Sequence, residues 1–145
     1  MAVTVDATRP RATYPIHPVH AVLLAGTFTL FFSALLNDLA YWSTDHVQWT
    51  NFASWLIAGG LVVGGFALVF ALVGLRHAVR RSGSSLLYLL LLLVTWIVGL
   101  FNAVVHAKDA WAAMPEGLVL SAIAAVLAGM ATWLGFSSLR TGDLP

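Results

Sequence analysis

The sequence predicts an all-α fold: a four-transmembrane-helix bundle in up-down order, with both termini on the cytoplasmic side. Three observations predict it. Of the 145 residues, 60% are hydrophobic and only 9% are charged, and the mean hydropathy is +0.89. A soluble domain carries about a quarter charged residues, so this chain cannot wet its own surface and its solvent is largely lipid. Apolar runs recur at about 19–42, 51–75, 85–105 and 116–139. Each reaches the roughly 20 residues that cross a hydrocarbon core of about 30 Å. Backbone groups in lipid must be satisfied within their own segment, which makes these runs helices. The third observation is charge. With alternating spans, Arg9, Arg11, Arg76, Arg80, Arg81 and Arg140 fall on one side, and the other holds Lys108 as its only Lys or Arg. The positive-inside rule then sets N-in and C-in.

Taken in order, residues 1–15 read as a flexible cytoplasmic tail, in which Pro10 and Pro15 stop any helix. With Arg9 and Arg11 the tail resembles a signal-peptide n-region. The apolar run behind it is about twice the length of an h-region and lacks a small-x-small cleavage site, so the sequence predicts a retained first span. Residues 16–140 form a single transmembrane domain and 141–145 a short tail. Pro18 suits the first helical position, where its missing N–H is not needed. Ser43-Thr44-Asp45 closes the first span, and Thr50 or Asn51 is expected to cap the second. Ser82-Gly83-Ser84 is the turn before the third. Pro115 and Glu116 open the fourth, the carboxylate facing the positive end of the helix dipole.

Small residues mark the packed faces. Gly60 and Gly64 lie four apart in the second span. The fourth has Ser121, Ala125 and Gly129, and beside them Ala124, Ala128 and Thr132. Such spacing lets backbones approach closely in lipid. The run from Leu86 to Leu93 is apolar all round and is expected to face lipid over much of its girth. Trp42, Trp49, Trp55 and Trp111 form an aromatic belt at the outer boundary, with Tyr14 and Tyr88 as a thinner one inside.

Several function classes are excluded. A net charge of +1 without a basic-aromatic stripe gives nucleic acid no partner here. The absence of cysteine removes thiolate metal sites, Cys-ligated clusters, c-type haem and Cys nucleophiles. No phosphate-binding glycine loop, His-Glu-x-x-His or Gly-x-Ser-x-Gly is present, so no catalytic motif is recognised.

Two groups of residues remain as candidates for chemistry. A rise of about 1.5 Å per residue puts His17 and His20 at the inner mouth of the first span, with His77 at the inner end of the second. His106 falls at the outer end of the third span, and His46 in the first outer loop. A haem b between helices needs imidazoles from different helices at one depth. His20 with His77 meets that condition, and His106 enters if a second haem exists. The plainer alternative is that these are interfacial histidines wetted at their polar tips, or that His17 simply caps its helix. A metal or proton-relay role is a third reading. The second group is an outer polar cluster. Asp38 lies about 30 Å along the first span from Pro18, while Asn102 and His106, four apart, share a face of the third. With Asn37 and Lys108 they form a level that suits a quinone headgroup, a proton or a cation. The alternative is a structural hydrogen-bond network, including an Asp38–Lys108 pair. No metal site is expected.

The His17-Pro18-Val19-His20 opening, the Leu36-Asn37-Asp38-Leu39 exit and the four-span layout resemble a family of small predicted bacterial membrane proteins of unknown function. The resemblance covers Tyr14 to Leu139. Its pattern is a His-Pro-x-His-Pro start to the first span and an Asp-Leu near its end. Here Ala21 replaces the second proline, Ala25-Gly26-Thr27 replaces a Phe-Pro-Ile, and the glycine-rich end of the fourth span is reduced to Gly135 and Ser137-Ser138. Members of the family are similar to domains fused to, or encoded beside, Rieske-type proteins and quinoprotein sugar dehydrogenases. The resemblance therefore implies a membrane partner of a periplasm-facing oxidoreductase, and carries over only His17, His20 and Asp38 as site positions.

The expectation is a multi-pass protein of the bacterial inner membrane, more an anchor or accessory subunit than an enzyme. A haem b or quinone-linked electron carrier is the main alternative. A small proton or cation transporter follows, and four helices make a thin wall for a pore without an oligomer.

Overall fold

The computed structural model describes the backbone of residues 17–77 and 83–137, and the side chains of 17–74 and 86–137. The termini with Arg9, Arg11, Tyr14 and Arg140, the residues Arg80, Arg81 and Ser82, and the side chains of Arg76 and His77 lie outside the described residues. The elements are α1 (Pro18–Thr44), α2 (Val47–His77), α3 (Gly83–His106), the one-turn α4 (Ala110–Ala113) and α5 (Glu116–Ser137). Four of these, α1, α2, α3 and α5, are long and apolar enough to cross a membrane.

The helix ends follow local chemistry. Pro18 opens α1, and the backbone carbonyl of His17 accepts from the N–H groups of His20 (2.8 Å) and Ala21 (3.2 Å). The His17 side chain makes no capping hydrogen bond, which corrects the capping alternative. At the other end Thr44 and Ser43 return their hydroxyls to the Ala40 carbonyl at 2.6 and 3.0 Å. Asp45 then turns left-handed (φ 55°) and donates its N–H to Tyr41 at 2.8 Å. Asp is one of the few residues that adopt this conformation readily. Neither Thr50 nor Asn51 caps α2. The helix starts at Val47, and the Trp49 N–H is satisfied by the His46 carbonyl at 3.0 Å. That places Thr50 inside the first turns, with its side chain buried.

The helices form a ring in which α1 and α3 each pack against α2 and α5, so α1 and α3 face each other across the diagonal. One stripe of α1 — Leu24, Thr27, Phe31, Ala34, Asp38 and Tyr41 — is buried, at the three- and four-residue steps of a helix face. Phe31 fills the axis. Its ring lies against Gly60 of α2 and Gly99 of α3, where β-carbons would stand 3.2 and 2.7 Å from Cζ. Gly64 receives Thr27 in the same way, at 3.1 Å. Ala124, Ala128 and Ala131 of α5 complete the core with Leu24, Ile57 and Leu92. Thr27 and Thr95 sit in this apolar axis but donate to the Leu23 and Leu91 carbonyls of their own helices, both at 2.7 Å. Outward-facing positions are large and apolar: Leu86, Leu87, Leu90, Phe101, Val126 and Trp133 are all exposed. Water would not tolerate so continuous an apolar surface, whereas lipid does.

Candidate functional site

The stripe that builds the core also delivers a carboxylate to it. Asp38 is fully buried, as are Asn102 and Ser121 to within 1%, and His106 is 5% exposed. Each arrives by helical register. Asp38 follows Ala34 on α1, His106 follows Gly99 and Asn102 on α3, and Ser121 follows Gly117 on α5. Gly117 is small because the imidazole lies on it.

The four side chains form one connected network. The Asn102 Nδ2–H donates to Ser121 Oγ at 2.8 Å. The Ser121 hydroxyl donates to Asp38 Oδ2 at 2.5 Å. His106 Nε2 meets Asp38 Oδ1 at 2.9 Å, and His106 Nδ1 meets the Asn102 backbone carbonyl at 3.1 Å. A carbonyl can only accept, so Nδ1 carries a proton. The Nε2–Oδ1 contact then holds one further proton, on either partner. With the proton on nitrogen the pair is imidazolium and carboxylate. With it on oxygen it is imidazole and carboxylic acid. Both states are neutral overall, which is how an ionisable pair survives in a medium that penalises a lone charge by several kcal/mol or more. The proton can pass between nitrogen and oxygen with no net charge in the bundle, and because its loss would leave a lone buried carboxylate, exchange with the outside replaces one proton by another.

A cleft of about 340 Å³ opens beside His106, between the start of α2 and the α3–α4 connection. Thr50, Asn51 and Ser54 line it from α2, and Lys108 and Asp109 from the connection. Ser54 donates to the Thr50 carbonyl at 2.9 Å. The hydroxyl of Thr50 itself has no hydrogen-bond partner among the described residues, although it is buried.

Asp38, Asn102 and His106 are thus brought together, and Asn37 and Lys108 are not. Asn37 lies one position round the helix and donates its amide to the Ser33 carbonyl at 2.8 Å. Lys108 pairs with Glu116 at 3.6 Å rather than with Asp38, because Asp38 is sealed behind His106 and Ser121. At the far end of α1, His20 Nε2 and the Tyr88 hydroxyl are 2.8 Å apart. His17 and His20 both contact the Phe70 ring, at centroid distances of 6.2 and 6.1 Å. The His77 side chain, proposed as the partner of His20 across a haem, lies outside the described residues. His106 has both ring nitrogens engaged by protein groups and offers neither to an iron. His46 is exposed. No group of three or more His, Asp or Glu side chains is placed to hold a metal ion, among the described residues.

Three participants were not marked as site residues by the sequence. Ser121 reads as one more small residue in an Ala/Gly stripe. The signal was its depth, about five residues inside the start of α5 and so level with Asn102. Thr50 reads as a cap, and Tyr88 as a belt residue. Only tertiary pairing separates these roles.

Comparison with known families places the chain. Residues 16–139 match the model of the predicted membrane protein family DUF2231, and the chain belongs to that family. No curated protein and no solved structure matches it.

Proposed function

We propose that this member of the DUF2231 family is an accessory subunit of the bacterial inner membrane. In this reading both termini are cytoplasmic, and the Asp38–His106 pair holds an exchangeable proton near the periplasmic surface for a periplasm-facing oxidoreductase. The observation that carries the proposal is the fully buried Asp38–His106 contact, with Nδ1 fixed as a donor by the Asn102 carbonyl. The distribution of arginines supports the orientation. The cleft beside His106 supports exchange with that side alone. A pathway through the bundle finds no support. Between Asp38 and His20 the axis is filled by Phe31, Leu24 and Leu92, and the Thr27 and Thr95 hydroxyls are bound to their own helices.

Infrared spectra of the reconstituted protein, recorded in H₂O and in D₂O, test the proton. The expected result is a carboxyl band that shifts in D₂O and vanishes in Asp38→Asn. Identical spectra for the two proteins would remove the reading. The same two proteins, returned to a deletion strain, test the accessory role. Respiration driven by a periplasmic oxidoreductase should recover with the native chain and not with Asp38→Asn.

A further inference from the structure

The face of α2 that lines the cleft does not stop there. Thr50 and Ser54 continue as Ala58, Leu61 and Gly65 at three- and four-residue steps, so they share one side of the helix. These last residues line a second, almost wholly apolar groove of about 770 Å³ between α2 and α3, closed from α3 by Leu93, Trp96 and Leu100. Trp96 donates its indole N–H to the Leu61 carbonyl at 3.0 Å, so the groove presents no free polar group at that point. A polar chamber and an apolar trough thus lie end to end along one helix seam, over about 28 Å from Thr50 to Val69 at 1.5 Å per residue.

We infer that this seam binds a membrane quinone, its ring in the cleft and its isoprenoid tail in the α2–α3 groove. The inference deepens the proposed proton-exchange reading by naming the ligand class of the cleft that opens onto the pair. Three observations select a neutral carbonyl headgroup. Thr50 is only 4% exposed and borders the cleft, and its buried hydroxyl has no partner among the described residues, so it is a donor without an acceptor. Gln48, Asn51 and Ser54 add neutral hydrogen-bonding groups on the same wall. The charged groups there cancel: Lys108 stands with Asp109 on the wall and is paired with Glu116, leaving no surplus cation for a phosphate headgroup. Binding alone is proposed. The Asp38–His106 pair forms the protonic end of the seam, and the source of any electrons lies outside this chain.

The test is calorimetric titration of the detergent-solubilised full chain with two benzoquinones, one bearing a single isoprene unit and one bearing four. Saturable binding of both is expected, tighter for the longer tail. Thr50→Val should weaken both at least tenfold, while Thr50→Ser should restore the native affinity. Gly65→Leu, which fills the groove, should leave the short-tailed quinone unaffected and abolish the gain from the longer tail. The proposal is overturned by the absence of saturable binding, by native affinity in Thr50→Val, or by displacement of the quinone by phosphatidylglycerol with loss of binding in Lys108→Ala. That last outcome would assign the seam to an anionic lipid. Ser54→Ala, expected to weaken binding, provides a second variant if Thr50→Val fails to fold. The Asp38 infrared band, read on the Thr50→Val protein, separates the two proposals: loss of quinone affinity with the band retained leaves proton exchange standing.

Discussion

The imidazole of His106 rests on the backbone of Gly117, so closely that a β-carbon at position 117 would stand 2.7 Å from Cε1 and 3.2 Å from Nδ1. The ring is held on its other sides by Asp38 and by the Asn102 carbonyl. It has no direction in which to yield without losing one of these bonds. Gly117→Ala is therefore expected to destabilise the fold by about 1–3 kcal/mol, the usual range for overpacking a tight site. It should also weaken the Asp38 infrared signal, because the displaced ring no longer reaches the carboxyl group. Unfolding in mixed detergent, followed by circular dichroism, measures the first effect.

Two substitutions at Asp38 are expected to diverge. In Asp38→Asn the new amide can donate to Nε2 of the neutral imidazole, while its oxygen still accepts from Ser121. The hydrogen bonds are rebuilt and the proton is lost. In Asp38→Ala the Ser121 hydroxyl and His106 both lose their acceptor in the bundle interior. Removing one member of a buried pair costs about 3–5 kcal/mol, so Asp38→Ala should be far less stable than Asp38→Asn in the same unfolding assay. Equal stability of the two would show that the pair contributes nothing to the fold.

Phe31 and Gly99 make the corresponding contact at mid-bundle. A methyl at Gly99 would lie 2.7 Å from Phe31 Cζ and 3.0 Å from Cε1, with Gly60 blocking retreat on the α2 side. Gly99→Ala should cost about 1–3 kcal/mol. The double variant Phe31→Leu/Gly99→Ala should recover part of that loss, since the shorter side chain vacates the contested space. Non-additive unfolding free energies in this cycle would establish the contact.

The orientation has its own measurement. With both termini cytoplasmic, a fluorescent protein fused after Pro145 should be bright, and alkaline phosphatase at the same position inactive. Phosphatase placed in the Asp45–His46 connection should be active. The reverse pattern would put the Asp38 cleft on the cytoplasmic side and remove the periplasmic part of the proposed function.

The spans were legible because each apolar run is long enough to cross a bilayer by itself, and no tertiary contact is needed to recognise it. The common level of Asp38, Asn102 and His106 was legible for a similar reason, since helical rise converts residue number into depth. Azimuth was not legible in the same way. Asn37 and Asp38 share a depth but point about 100° apart on the helix, and only the packing of α1 against its neighbours decides which of them is buried. Composition misplaces the start of α2, because a hydrogen bond sets it. Thr50 looks like a cap in sequence and becomes a buried wall residue because the His46 carbonyl starts α2 a turn earlier.

The sequence by itself therefore determined the solvent, the helices and the depth of each polar group, because hydropathy and helical rise are properties of a single segment. Tertiary structure decided which groups meet. Asp38 and His106 come from helices that face each other across the bundle diagonal, and Ser121 joins them from a third helix. Their contact depends on Phe31 seating between Gly60 and Gly99, which brings those helices close enough for a carboxyl group and an imidazole to touch. Of the opening His17-Pro18-Val19-His20 and the closing Asp38, the packing places only Asp38 in the network beside the cleft. His20 lies a full span away, beside Tyr88.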